Sequence, residues 1–593
     1  MTQSAATPAS NSPVRTESVA EQPGTPDFVI RGFELCSNER YQTGMWHWKA
    51  LNRAFSMMEK LNFNTLIFHQ NSLTDWAVLP RAYFPADTMR ARWPTRLAQV
   101  ENGKYHLREV MKRAAAQGIR LFFEVKEMSY PEELVELHPE LMEIKGVVCP
   151  THPFWWNYMH AKYTELMEDL PDLGGVLVSP GTRESKLSLS VHNCTCDRCR
   201  SYDPSTWYGN ILRSMYEPLH AKGKLLVVRD FAYSKTEQNL ILDACSNVSK
   251  DIAVTLKNTP HDFYPPFPDN PRIGHMGEHP QWIEFDTWGN YYAFGFFPIS
   301  VVEDMQRRLR YAKNNGAVGA MFRVDLEFIS DGSDFNSWDL VNVFGAGLLS
   351  QRIEQDLDQV YRAWLTYGVA NPMTPESEQS APLPVPLVHL GQFRDFMRAS
   401  WKVMEKTLYV RGHVFNDGGC QFPFSLQRAF DNMYIFQGRE DWEPGSLKRV
   451  EPTAENLRII FAEKELAERE VALLSDILKL EETQLPAEFK RSMGTVLDLY
   501  RSYVEGFKHC AVACFTAKKA LATHDPRDIE AANQAADQLV VYREKTARRL
   551  ESTYYPHTVY WFLPLDYVDR LASDIRMKVA AIAKLAPAIA DQH

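Results

Sequence analysis

Residues 105–126, YHLREVMKRAAAQGIRLFFEVK, join an amphipathic helical run to a short apolar and β-branched run through Gln117 and Gly118. A glycine at that place commonly ends a helix, and the run 119–126 then reads as a buried strand. Working outward, the same unit recurs. Strand-like runs are FVIRGFEL (28–35), NTLIFHQ (64–70), IRLFFEVK (119–126), GGVLVSP (174–180), KLLVVRDF (224–231), DIAVTLKN (251–258), QWIEFD (281–286) and VGAMFRVD (318–325). Helical stretches such as 47–61, 207–223 and 299–316 lie between them. Repeated βα units form parallel sheets, and eight of them fit a closed (β/α)8 TIM barrel, an α/β fold, over 28–369. The competing arrangement is an open doubly wound sheet. No Gly-rich phosphate loop follows the first strand, which counts against its nucleotide-binding form.

Past residue 350 the strand signal stops. Residues 370–386, ANPMTPESEQSAPLPVP, read as a Pro-rich linker, and 387–593 carry long runs with apolar residues at helical spacing, an all-α C-terminal domain. Most of those stripes are expected to be core, although an exposed one could support a homodimer. Residues 1–27 are polar, without an apolar targeting core, and read as a disordered leader of a cytoplasmic protein. The formal net charge of -10 is spread along the chain without a basic stripe, and no run is long enough to span a bilayer. Nucleic acid and membrane are therefore not the expected partners, and a small or oligomeric ligand is.

Reactive groups of barrel enzymes sit at the C-terminal ends of strands. Here those ends carry His69, Lys126, Arg183, Glu184, Arg229, Asp230, Lys257, Glu284, Asp286, Arg323, Asp325 and Glu327. Paired charges of this kind can hold a polar sugar, and the cations suit an anionic one. Glycoside hydrolysis needs a carboxylic acid on the leaving oxygen and a second carboxylate opposite it. Glu184 is the expected acid, facing Asp325 or Glu327, with Arg323 to orient the buried one. The bland reading of Glu184 is a surface pair with Arg183 or Lys186. Trp288, Tyr291 and Tyr292 in WGNYY are candidate stacking surfaces, against the alternative of core packing. His69, Lys126, Arg183, Arg229, Asp230 and Asp286 complete the expected substrate contacts.

At these residues the chain resembles the α-glucuronidases of glycoside hydrolase family 67, from strand 4 to the start of the helical region. GGVLVSPGTRES (174–185), QWIEFDTWGNYYAFGFFP (281–298) and 337–369 carry the resemblance. It implies an inverting, exo-acting glycosidase with Glu184 as general acid, no cofactor needed for catalysis, and the base among Asp325, Asp331 and Glu354. The chain departs from the pattern in having Asn290 where the family has Glu and in lacking a β-sandwich before Phe28, which puts the sugar in doubt. A non-catalytic sugar-binding or assembly protein and a uronic-acid lyase or isomerase are the alternatives.

Nine cysteines include three in HNCTCDRCR (192–200). His192, Cys194, Cys196 and Cys199 could enclose a structural zinc, against reduced thiols packing the loop or a redox-dependent bridge.

Overall fold

The computed structural model describes residues 25–36, 46–144, 146–189, 194–232, 234–324, 335, 337–371, 373, 381–416, 419–436, 438–551, 555–556 and 558–590. Eight parallel strands close a barrel in sequence order: β1 (Ile30–Cys36), β2 (Thr65–His69), β3 (Arg120–Val125), β4 (Gly175–Val178), β5 (Leu225–Arg229), β6 (Ala253–Lys257), β7 (Gln281–Asp286) and β8 (Ala317–Arg323). The closing pair sets Glu34 beside Arg323, and the β7–β8 pair sets Asp286 beside the same arginine. Apart from Val318 and the half-buried first residues of β3 and β5, the strands are buried on both faces, which is why they read as mainly apolar runs.

Alternate residues of each strand point into the barrel. Its lower interior is filled by Ile30, Ile67, Phe122, Leu177, Val227, Ala253, Trp282 and Met321, a cluster separate from the large core outside the strands. Phe122 and Trp282 meet edge to face across this plug at 6.0 Å. Glycines make room for them. A Cβ on Gly319 would stand 2.7 Å from the Trp282 ring, and one on Gly32 would stand 2.8 Å from Met321 Cβ.

Three of the helices outside the strands start on capping residues: Asp203, Ser234 and Asp356 each accept a backbone N–H of the first turn. Beyond the barrel the chain is helical, with long helices Leu390–Leu408, Ala454–Leu478, Ala487–Thr523, Pro526–Glu551 and Leu565–Ala590. They share one continuous apolar core with the outer barrel layer. The segment after β7 is where they dock. Phe297 stacks on Tyr500 at 4.6 Å and Phe296 on Phe562 at 5.1 Å, while the Tyr409 hydroxyl donates to the Tyr291 carbonyl at 2.7 Å. Among the described residues no helix is long and apolar enough to cross a membrane.

The plug has no slack at Gly319, because Trp282 is rigid and already packed. Gly319→Ala is expected to lower stability by about 1–3 kcal/mol, the usual cost of overpacking, read as a lower urea midpoint at unchanged slope.

Candidate active site

Above the apolar plug the inward positions become charged: Glu34, His69, Glu124, Arg229, Glu284 and Arg323, all buried. Ions taken out of water must be paired, and here they pair across the barrel. Arg229 is the centre. Its Nε donates to Glu284 Oε2 at 2.7 Å and its Nη2 to Glu284 Oε1 at 2.5 Å, while Glu124 Oε1 lies 3.1 Å from Nε. Burial raises the Glu124 carboxyl, against the pull of Arg229. Burial acts on Glu284 as well, but the bidentate guanidinium prevails and holds that carboxyl below its usual range. His69 Nδ1 lies 2.8 Å from Glu34 Oε1. Burial above all, with Lys126, Arg323 and Arg229 nearby, brings the imidazole down to about 4, so it is neutral at physiological pH and meets Glu34 through an N–H. Arg323 closes the ring 3.8 Å from Glu34.

Glu34, His69 and Glu124 place their ligand atoms within 4.8 Å of one another, as a metal would require. The guanidinium groups of Arg229 and Arg323 already stand against those carboxylates, so the positive charge is supplied by the chain itself.

A second tier lies at the mouth. Lys126, two positions beyond Glu124, pairs with Glu184 on the loop after β4, and Lys257 at the end of β6 pairs with Asp262 on the loop that follows. The ring of Phe231 sits between them, with the Lys126 and Lys257 ammonium groups 4.8 and 4.4 Å from its centroid. Asp262 takes a left-handed backbone, φ 44°, a conformation that Asp tolerates better than most residues. Asp286 ends β7 and points inward on the same alternation as Trp282 and Glu284. Its Oδ2 accepts the Asn290 N–H at 2.7 Å, and its Oδ1 has no hydrogen-bond partner among the described residues.

The two aspartates are driven apart. Burial raises Asp286 to about 7, with Arg323 and the Asn290 amide opposing it and Glu34 reinforcing it. Burial acts on Asp262 too, but Lys257 overrides it and holds the carboxylate below its usual range. Tyr291 lies in the field of Asp262, Asp286 and Arg323 together, packed 4.4 Å from Tyr264.

The structure thus gathers His69, Lys126, Glu184, Arg229, Asp286, Tyr291 and Arg323 at or just below one mouth. Glu184 is partly exposed and paired with Lys126 rather than with its sequence neighbours; Lys186 instead pairs with Glu132, and Arg183 is exposed. Asp230 is buried beside this mouth, where Gln238 donates to it at 3.0 Å and burial raises its carboxyl. Trp288 and Tyr292 lie in the core, 2% and 1% exposed, which leaves Tyr291 as the partly exposed ring of WGNYY. Asp325, Glu327 and Asp331 lie outside the described residues, as does His192. Glu354 is far from the mouth: it pairs with Arg310 on the outer helix before β8, and the adjacent Ile353 N–H bonds Asp27 at the start of β1. That places it at the opposite end of the barrel and removes it as a base. Asp262 and Phe231 were missed by sequence reasoning. The only signal for Asp262 was an acidic residue four positions past a strand end.

No protein-family model matches the chain, and no curated protein matches it. Among solved structures the chain is similar to a GH138 enzyme targeting pectin rhamnogalacturonan II, with 12% identity and a TM-score of 0.64 over 94% of this chain and 67% of that one. It is also similar to an O-GlcNAc hydrolase mutant of Thermobaculum terrenum, with 10% identity and a TM-score of 0.41 over 95% of this chain and 97% of that one. At such identity the first likeness is one of fold alone. It does not single out family 67.

Removing Arg229 would strand two buried carboxylates. Arg229→Met is expected to cost about 3–5 kcal/mol in chemical denaturation, and the double variant Arg229→Met/Glu284→Gln to recover part of that loss.

Proposed function

We propose that the chain is a glycoside hydrolase in which Asp286 donates the proton to the leaving oxygen and Asp262 is the ionised partner. The observation that carries this reading is the opposed setting of the two aspartates at one barrel mouth. A pair of carboxyl groups whose surroundings push them apart is the arrangement that glycosidic cleavage needs. Asp286, neutral up to about pH 7, can protonate an oxygen brought to its Oδ1, which has no hydrogen-bond partner among the described residues. Asp262, kept charged by Lys257, can stabilise the positive charge that develops on the sugar or activate a water. Glu184, expected from the family-67 resemblance to be the acid, is on this reading a mouth residue that positions substrate through Lys126.

Phe231 offers a flat apolar face for a sugar ring, and the two flanking ammonium groups suit a uronic or otherwise anionic sugar. The fold-level likeness to an enzyme targeting pectin rhamnogalacturonan II supports carbohydrate as the substrate class. A lyase using Tyr291 as base is disfavoured, because burial pushes that phenol well above its ordinary value.

Assayed on a panel of neutral and uronic aryl glycosides and oligosaccharides, Asp286→Asn is expected to lower kcat by about 10²–10⁴-fold with the far-ultraviolet circular dichroism unchanged. Wild-type kcat/KM should fall as pH rises through about 7, the limb on which the acid is lost. Full activity in both Asp286→Asn and Asp262→Asn, with loss in Glu184→Gln, would restore Glu184 as the acid. Binding without turnover of any panel member would make the chain a sugar-binding protein.

Stability gives a second readout. In the unfolded chain an Asp titrates at about 3.9, so between that pH and about 7 only the folded state keeps this proton. The contribution of Asp286 is therefore fully present below the unfolded value, and is lost as pH rises through the folded one. Asp286→Asn should melt higher than the wild type at pH 8 and lose that advantage toward pH 4.

A further inference from the structure

Four thiols from two separate loops meet beside the mouth. Cys149 lies after β3, just before the helix Phe154–Asp169, and Cys194, Cys196 and Cys199 lie after β4. Their sulfurs are all within 4.8 Å of one another. We propose that Cys149, Cys194, Cys196 and Cys199 form a tetrathiolate site for one structural zinc ion. Cys149 is thus the fourth ligand, in the place that proximity in sequence gave to His192.

The distances fit a metal better than a bridge. Four sulfurs about 2.3 Å from a tetrahedral zinc are about 3.8 Å apart, whereas a disulfide needs about 2.05 Å. Cys149 Sγ lies 3.7 Å from Cys196 Sγ and 3.5 Å from Cys199 Sγ, and all four cysteines are free thiols. The surroundings are those of a built ligand set. Cys196 caps the short helix Asp197–Ser201, and its sulfur accepts the Cys199 N–H at 3.4 Å. The Thr151 hydroxyl lies 3.2 Å from Cys199 Sγ and 3.4 Å from Cys149 Sγ, a partner of the type that orients ligands from outside the metal shell. Cys149 itself is fully buried and fixed. Its N–H donates to the Leu141 carbonyl and its carbonyl accepts the Trp155 indole N–H, both at 2.8 Å, while the Trp207 indole holds the Pro150 carbonyl.

Closed coordination by four thiolates leaves no position for water, so the ion would brace rather than catalyse. It would tie the loop after β3 to the loop after β4, which the Arg198–Glu143 ion pair also joins at 2.6 Å. Lys126 stands just past the first of those strands, and Glu184 on the loop after the second. The site stands independently of the hydrolase reading.

The test is metal analysis of the full chain, purified under reducing conditions without chelator after growth with zinc. About one zinc per chain is expected, released by a mercurial reagent as the four thiols react and accompanied by a lower melting temperature. Cys149→Ser and Cys199→Ser should each lose the metal, whereas Cys245→Ala, remote from the cluster, should keep it. Should the serine variants fail to fold, cobalt substitution of the wild type decides. A thiolate-to-cobalt charge-transfer band with intense tetrahedral visible bands supports the site. Full thiol content with less than about 0.1 zinc per chain, a cobalt spectrum lacking thiolate bands, iron in place of zinc, or two disulfides by peptide mapping would overturn the proposal.

Discussion

Arg229 ties three strands together. From β5 it reaches Glu124 on β3 and Glu284 on β7, and each of these groups is buried. A buried guanidinium and two buried carboxylates are tolerable only together, so the strand register that brings them into contact is strongly favoured. A one-residue slip of β5 would turn the guanidinium outward into the helix layer and leave the carboxylates unpaired. Arg323, Glu34 and His69 carry the same logic around to β1, β2 and β8. The barrel is thus built in two tiers, an apolar plug that supplies burial and a charged ring that supplies orientation.

This ring sets up the chemistry above it. Its charges are fixed by mutual contacts before any ligand arrives, which is the condition for electrostatic preorganisation. Lys126 and Lys257 each hold a loop carboxylate against the mouth on either side of Phe231. Asp286 differs from its neighbours. Burial outweighs what Arg323 and the backbone amides of Gly289 and Asn290 can offer, and one of its oxygens has no hydrogen bond among the described residues. A neutral acid within a well-paired ring is a local imbalance of the kind that active sites keep.

The eight strands were legible because barrel strands are largely buried on both faces, and most therefore appear as short, mainly apolar runs with charge at or near their C-terminal ends. Pairings were not legible. Glu184 finds Lys126 rather than Arg183 or Lys186 because adjacent strand ends converge in space, and one chain read linearly favours near neighbours. The same bias chose His192 beside the cysteine run and passed over Cys149, which lies 45 positions before Cys194. Trp288 and Tyr292 read as stacking surfaces because they follow a strand end. The helical region covers that loop, with Cys420 donating to the Asn290 carbonyl at 3.3 Å and Trp401 packing on Tyr292, and this turns both rings into core. No local pattern announces a cover supplied more than a hundred residues later.

Asp286 keeps its proton up to about pH 7, whereas Asp262 across the mouth stays ionised. Infrared difference spectroscopy of the protonated-carboxyl stretch across a pH titration, comparing wild type with Asp286→Asn, measures this directly. The expected result is a carboxyl band that disappears with a midpoint near 7 and is missing from the variant. A wild-type protein whose carboxyl bands have all vanished by about pH 5, as unperturbed Asp and Glu would, contradicts it.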